Sequence, residues 1–341
     1  MSPTRLGILG CGYIGDFHAS MLAGCSEAHV IAAVYDPDPE RAAAFAERWK
    51  TTVVGGVDEV LDRSDAVFVC SWTSEHRALV DRIAARRRHI FCEKPLGFDA
   101  SEAAAMVATV RGTGIVDMVG LILRAAPAMN ALRAMLRDDD SGRIMNIVFR
   151  DDQYLPTQGM YASSWRADRS RAGRGALLEH SIHDVDILEW LAGPIRRVAA
   201  EQEFFHGIDG IEDSVSVLMR FASGATGTLA SIWHDVISRP SQRRIEIFCE
   251  RALYTLEGEW FGPLHWERSD ASGTLVGDDL TRWLANREIV TTWPEQRFLA
   301  AIRGGQTASP SFAEALRAHQ VVDAIYRSAD AQGCAVDVAA P

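Results

Sequence analysis

Arg5-Leu6-Gly7-Ile8-Leu9-Gly10-Cys11-Gly12-Tyr13-Ile14-Gly15-Asp16-Phe17 is the stretch that decides the fold. Its first five residues are a short apolar run, which predicts a strand. Three glycines follow at G-x-G-x-x-G spacing, and Ile14, Phe17, Met21 and Leu22 then recur at helical spacing. Strand, glycine turn and helix in that order are the context in which this spacing holds a dinucleotide. Gly10 allows the tight turn, Gly12 lets the backbone approach a pyrophosphate, and Gly15 permits close packing of helix on strand. The helix N-terminus supplies N–H donors and the positive end of its dipole. Tyr13 and Ile14 lie inside the turn and join the three glycines in the expected cofactor-binding set.

Outward from this turn, residues 30–35 read as the next strand, and Asp36 ends it. A carboxylate near this spacing accepts hydrogen bonds from the adenosine ribose hydroxyls and repels a 2′-phosphate, so NAD is expected rather than NADP. Asp36 also suits the start of the turn Asp36-Pro37-Asp38, and Arg41 close by leaves some room for NADP. Asp38 and Pro39 make a helix start, as N-cap and first position, with Ala42, Phe45 and Trp49 on its buried face. Residues 65–71 and 89–92 are further strands, separated by a helix carrying Leu79, Val80 and Ile83. Asp99-Ala100-Ser101-Glu102 resembles a capping box, and residues 115–120 close the pattern. Strands alternating with helices predict a Rossmann-type doubly wound parallel sheet over residues 1–122.

Beyond that point the pattern changes. Residues 144–152, 214–221, 226–233, 243–249 and 253–256 read as consecutive strands, several with the apolar–polar alternation of a sheet with one wet face. A helix at about 180–191, stopped by Gly193-Pro194, interrupts them, and a late helix begins near Ser311 with Glu314 completing a capping box. The expectation is a second α/β domain, residues 123–341, with a mostly antiparallel sheet. Length supports two domains: 341 residues with 48% hydrophobic content exceed one ordinary core.

Composition narrows the function. A net charge of −11 and a pI near 5.4 give no footprint for phosphate-backbone binding, so no nucleic-acid partner is expected. No apolar run is long enough for a membrane span, and the N-terminus lacks the apolar core of a signal peptide. Cys11, Cys25, Cys70, Cys92, Cys249 and Cys334 form no C-x-x-C pair, which points to reduced thiols in a cytoplasm, without disulfides or structural zinc.

Two further clusters carry chemistry. Glu93-Lys94-Pro95 follows the strand ending at Cys92, at the carboxyl edge where open α/β sheets bind ligands. A lysine there can hydrogen-bond a reacting oxygen and share its proton. Glu179 and His183 are four residues apart and share one face if both are helical. A carboxylate beside an imidazole orients it and raises its basicity, as a general base requires. The same pair also reads as a helix-start carboxylate plus a buried structural histidine, and His180, His183 and Glu179 could ligate a metal. No further ligand is evident, so no metal is expected.

Taken together, the glycine turn, Glu93-Lys94-Pro95 and the segment Gly173-Arg174-Gly175-Ala176-Leu177-Leu178-Glu179-His180-Ser181-Ile182-His183-Asp184-Val185-Asp186 resemble the glucose–fructose oxidoreductase / inositol dehydrogenase (Gfo/Idh/MocA) family. The resemblance runs over nearly the whole chain. It implies a C-terminal α/β domain with an open, mostly antiparallel sheet that often packs against a partner subunit, hence a homodimer or homotetramer. It implies hydride transfer between a nicotinamide and a sugar, polyol or cyclitol. It assigns Lys94 as the catalytic lysine, His183 as general acid/base and Glu179 as its supporting acid. Glu93 and Lys94 are implied near the nicotinamide and its ribose, and Ser71-Trp72-Thr73 with His76 matches the loop beside the cofactor. Many members have Asp in place of Glu179 and a Thr-Pro pair in place of Trp72-Thr73, and both departures bear on the substrate.

The expected reaction is oxidation of a secondary alcohol to a ketone. Arg124, Tyr154, Trp165, Arg166 and His180 are the expected substrate contacts. The alternatives are a redox-neutral epimerase, lyase or hydrolase holding NAD tightly, a dihydrodiol- or biliverdin-type reductase, and a non-catalytic cofactor sensor. The last has no need of both Lys94 and a Glu179–His183 pair.

Overall fold

The run after Ser2 is a strand because its apolar residues go inside. In β1 (Thr4–Leu9), Leu6 and Ile8 are wholly buried. The computed structural model describes residues 2–340. It divides into two compact units, the chain up to Leu121 together with Thr292–Leu316, and Ile122–Thr291 together with the chain from Arg317.

The first unit is built on five parallel strands in the order β2-β1-β3-β4-β5, with β2 (His29–Tyr35), β3 (Ala66–Val69), β4 (His89–Cys92) and β5 (Asp117–Val119). The order reverses at β1, so the glycine turn after β1 lies at the switch point. The anticipated caps are formed. Asp38 accepts the N–H groups of Glu40 and Arg41 ahead of helix Pro39–Trp49, and Asp99 accepts that of Glu102 ahead of helix Ala100–Val110. The Glu102 carboxylate reaches back one residue further than a capping box requires, to the Phe98 N–H. Ser311 and Glu314 close their box reciprocally.

Division by sequence order at residue 122 leaves out one return. Helix Pro294–Gly304 packs in the first unit, where Phe298 stands edge-on to Phe68 and Phe91. Phe298 and Leu299 join Leu6, Ile8, Leu22 and Phe45 in one apolar core.

The second unit holds nine strands in the order β13-β12-β11-β10-β6-β9-β8-β7-β14. They are β6 (Ile144–Tyr154), β7 (Ile195–Glu203), β8 (Ser214–Phe221), β9 (Thr226–His234), β10 (Gln242–Cys249), β11 (Ala252–Glu257), β12 (Leu264–Arg268), β13 (Ser272–Leu275) and β14 (Val336–Asp337). Among the described residues, β6 and β9 run parallel and the other strand pairs of this sheet antiparallel. Alternation sorts the faces. Val215, Val217, Met219 and Phe221 are buried while Ser216, Leu218 and Arg220 between them are exposed.

Candidate active site

In the glycine turn, Gly10 and Gly15 take the local roles their spacing suggested. Gly10 has φ +101°, and a Cβ there would lie 2.5 Å from the Cys70 carbonyl oxygen. A Cβ on Gly15 would lie 2.2 Å from the Gly10 oxygen, so only glycine lets helix Tyr13–Ala23 start this close to the turn. Gly12 is the N-cap of that helix. It supplies no capping side chain, and a Cβ built on it meets nothing within 4 Å. The turn is tied to the end of β2 by Gly10 N–H to the Tyr35 oxygen (2.9 Å) and by Cys11 N–H to Asp36 Oδ2 (2.8 Å).

Asp36 starts the turn that the sequence offers there. It closes β2, and its Oδ1 also accepts the Asp38 N–H at 2.9 Å, with Arg41 Nη1 at 3.6 Å. Burial and the Asp36 charge push the Cys11 thiol up to about 12, so it stays protonated at neutral pH.

The loops after β3 and β4 are joined through His76. Its Nδ1 lies 3.0 Å from the Pro95 oxygen and its Nε2 3.3 Å from the Ser71 oxygen. Burial holds His76 below its ordinary range, so the ring is neutral and donates one hydrogen bond, best placed toward Pro95. Trp72 is the N-cap residue of helix Thr73–Ala85, and the Thr73 hydroxyl is buried without a hydrogen-bond partner among the described residues. Glu93 is buried at the end of β4, where Gly120 makes room for it; a Cβ on Gly120 would lie 2.3 Å from Glu93 Oε1. Its Oε2 accepts the Lys94 N–H at 3.1 Å. The uncapped helix start at Gly12 and the unsatisfied Thr73 hydroxyl both fit a dinucleotide bound along these loops.

In the second unit the Glu179 segment is not one continuous helix. Ala176–His180 is a π-turn and Ile182–Ala192 an α-helix, with Ser181 at the junction. Four-residue spacing therefore does not by itself put Glu179 and His183 on one helical face. Glu179 is buried with Arg166, whose Nε is 2.6 Å from its Oε1. Arg166 stacks over Trp165 at 4.6 Å and Tyr161 at 5.9 Å. His183 is 6% exposed in the first turn of the α-helix.

His180 turns toward the sheet, with Nε2 3.1 Å from Asp151 Oδ2 and 3.1 Å from Arg243 Nη2. Arg243 also binds Asp184 at 2.6 Å. Burial raises Asp184 well above the carboxylate range, against Arg243 and with the help of the Asp151 charge. Burial acts on Asp151 too, but Arg243 and His180 overcome it and hold it low. Arg124 is clamped by both oxygens of Asp186, and the Tyr154 hydroxyl accepts the Met160 N–H. Arg124, Arg166 and His180 each meet a carboxylate of their own unit. Among the described residues, no three His, Cys, Asp or Glu side chains converge as a metal site.

Sequence reasoning missed the residue that holds the π-turn. Glu212 is wholly buried and accepts the N–H groups of Gly175 (2.7 Å) and Leu177 (3.0 Å) and the Tyr326 hydroxyl (2.8 Å). It stands in an irregular stretch before β8, where no periodicity marks an inward residue. It also missed His18, which faces Glu93 in the first unit, and Glu295 on the other side of the His18 ring.

Residues 4–121 match the oxidoreductase family with NAD-binding Rossmann fold of the Gfo/Idh/MocA group, and residues 129–255 match the GFO/IDH/MocA C-terminal domain. The chain belongs to the Gfo/Idh/MocA family. Inositol 2-dehydrogenase of Rhizobium meliloti (strain 1021) is 29% identical over 95% of this chain and 96% of its own. Myo-inositol 2-dehydrogenase of Thermotoga maritima is 27% identical over 72% of each chain. A levoglucosan dehydrogenase solved with NADH and levoglucosan shares the fold at a TM-score of 0.87 and 24% identity, covering 99% of this chain and all of that one. Family membership makes the first unit an NAD-binding domain.

Proposed function

We propose that this protein is an NAD-dependent dehydrogenase oxidising a secondary alcohol of a sugar, polyol or cyclitol. The observation that carries the reading is the end-to-end likeness to an inositol 2-dehydrogenase, together with both domain matches of the family. When bound, the nicotinamide supplies the hydride acceptor. Lys94 hydrogen-bonds the reacting oxygen. His183 takes the hydroxyl proton, and Glu179, paired with Arg166, fixes the segment that carries it. Arg124, Tyr154, Trp165, Arg166 and His180 are the proposed surroundings of the substrate. A panel of sugars, inositols and sugar acids, each followed by the absorbance of reduced cofactor, tests the reading; a panel with no NAD reduction overturns it.

The preference for NAD over NADP rests on Asp36. Asp36→Ser should weaken NAD about ten- to a hundredfold, the worth of a hydrogen bond to a charged group, and improve NADP relative to NAD. Calorimetric titration of both cofactors checks this. A wild-type protein that binds NADP at least as tightly as NAD overturns the role of Asp36.

The protein is further proposed to form a homodimer or homotetramer through the outer face of the nine-stranded sheet. Leu218, Thr228, Val148, Glu246 and Thr255 stand in one row across β8, β9, β6, β10 and β11. Leu218 is 56% exposed, and Val148 and Phe248 are exposed on the same sheet. Sedimentation that shows only a 37.4 kDa species at micromolar concentration removes this assembly. The cytoplasm is the proposed location, in keeping with six free thiols; no helix among the described residues is long and apolar enough to cross a membrane.

A further inference from the structure

The first unit buries a chain of three ionisable groups that the proposed reaction does not use directly. Glu295 Oε1 lies 2.6 Å from His18 Nδ1, and His18 Nε2 lies 2.8 Å from Glu93 Oε1. Glu93 Oε2 then accepts the N–H of Lys94. His18 and Glu295 are wholly buried, and the imidazole is walled by Phe17, Phe68 and Phe91 with ring centroids at 5.9, 5.5 and 4.9 Å. Each ring nitrogen thus faces a carboxylate. An ionised carboxylate only accepts, so a ring serving both must carry both protons. Burial opposes that charge, but the hydrogen bonds to Glu295 and Glu93 prevail and bring His18 up to about 9. Glu93 is correspondingly held below the carboxylate range: burial pushes it up, and the hydrogen bond and charge of His18, then Lys94, outweigh it.

A buried ion cluster of this kind is weak as a stabiliser, since apolar residues of similar volume often do as well. Its placement gives it another use. The three groups come from helix Tyr13–Ala23 just after the glycine turn, from the end of β4, and from the first turn of helix Pro294–Gly304. We propose that His18 and Glu295 are positioning residues: they fix the ionised Glu93 carboxylate and, through its bond to the Lys94 N–H, the main chain that presents the lysine. The inference rests on the reading of Lys94 as the catalytic lysine.

The sign of the pH effect follows. A histidine raised in the folded state contributes stability that is complete below its ordinary range and is lost as pH rises toward about 9. Turnover per folded molecule should instead fall around the folded value of about 9, where Glu93 loses its cationic partner. Glu295→Gln keeps an acceptor for Nδ1 and removes one charge. It should move the alkaline limb of kcat down by about one pH unit or more and lower kcat on the plateau several-fold. His18→Phe, which fits the aromatic surroundings but leaves Glu93 unpaired, should cost more. Melting curves on the same samples separate this from unfolding. Should either variant fail to fold, ring-nitrogen NMR of wild-type His18 stands in: both nitrogens protonated at neutral pH, with a midpoint that coincides with the alkaline limb of kcat. A neutral ring at pH 7, or a midpoint apart from that limb, overturns the proposal. So does a Glu295→Gln enzyme with the wild-type pH profile when Lys94→Ala is inactive. A Lys94→Ala enzyme with undiminished turnover removes the catalytic reading of the lysine, and the positioning role with it.

Discussion

Lys94→Ala and His183→Ala should each lower turnover by at least about a hundredfold, because general acid–base groups contribute about 10²–10⁴-fold to such steps. Neither loss should come from unfolding. Lys94 sits on a loop whose course is held by bonds to its neighbours, Glu93 to the Lys94 N–H and His76 to the Pro95 oxygen, and neither bond involves the lysine ammonium. His183 lies in the first turn of its helix, whose apolar packing is carried by Ile182, Val185, Ile187 and Leu188. Losing one buried imidazole there costs on the order of 1–2 kcal/mol. NAD affinity should change little for His183→Ala and more for Lys94→Ala. The two losses should not add fully in the double variant if both residues act on one oxygen. Glu179→Gln should lose less, since it keeps an acceptor for Arg166. The decisive measurement is turnover and melting temperature on the same preparations. A His183→Ala protein that is unstable yet fully active ends the mechanism and makes His183 a core residue.

The parts of this molecule that were legible in sequence are those decided by local geometry. The glycine turn was readable because φ +101° at Gly10 and the 2.2 Å approach at Gly15 exclude every other residue. Asp38, Asp99 and Ser311 announced helix starts because a cap needs a short acceptor at a fixed offset from the N–H it binds. The long strands of the second sheet showed because one face is wet. Strands β7, β12, β13 and β14 went unread: the last three are two to five residues long and mostly half-exposed or exposed, so alternation has no length in which to appear. The return of helix Pro294–Gly304 was invisible because sequence order records no long-range packing. The helix expected at about 180–191 begins at Ile182, and the π-turn ahead of it that carries Glu179 depends on Glu212 and Tyr326, both distant in sequence. The same holds for His18, Glu93 and Glu295, whose meeting is a product of the fold.

The largest effect on stability should come from Glu212→Ala. The Glu212 carboxylate satisfies three buried donors, the Gly175 and Leu177 N–H groups and the Tyr326 hydroxyl. A buried donor left without an acceptor costs about 1–3 kcal/mol, so the variant should lose about 3–5 kcal/mol in all. For a unit of this size that is roughly 10 °C or more in melting temperature. Glu212→Gln should fall between: its amide oxygen can serve Leu177 and Tyr326, but its NH₂ then meets the Gly175 N–H, donor against donor. Tyr326→Phe should cost about 1–2 kcal/mol, since it removes an acceptor from the Leu178 N–H as well as a donor to Glu212. Gly175→Ala strikes the main chain of the same glutamate, because its Cβ would lie 1.9 Å from the Glu212 carbonyl oxygen and 2.6 Å from its backbone nitrogen, and backbone must move. Gly12→Ala is the matched control. Its Cβ meets nothing within 4 Å, so it should melt near wild type while binding NAD poorly. The pH dependence adds an independent sign. Burial raises Glu212 against its three hydrogen-bond donors, so the folded state holds this proton longer than the unfolded chain does. Its contribution to stability is lost as pH rises from the ordinary glutamate range through the raised folded value, a limb that Glu212→Ala should lack. A Glu212→Ala protein with wild-type melting temperature and turnover would show that the π-turn carrying Glu179 is held by something other than this carboxylate.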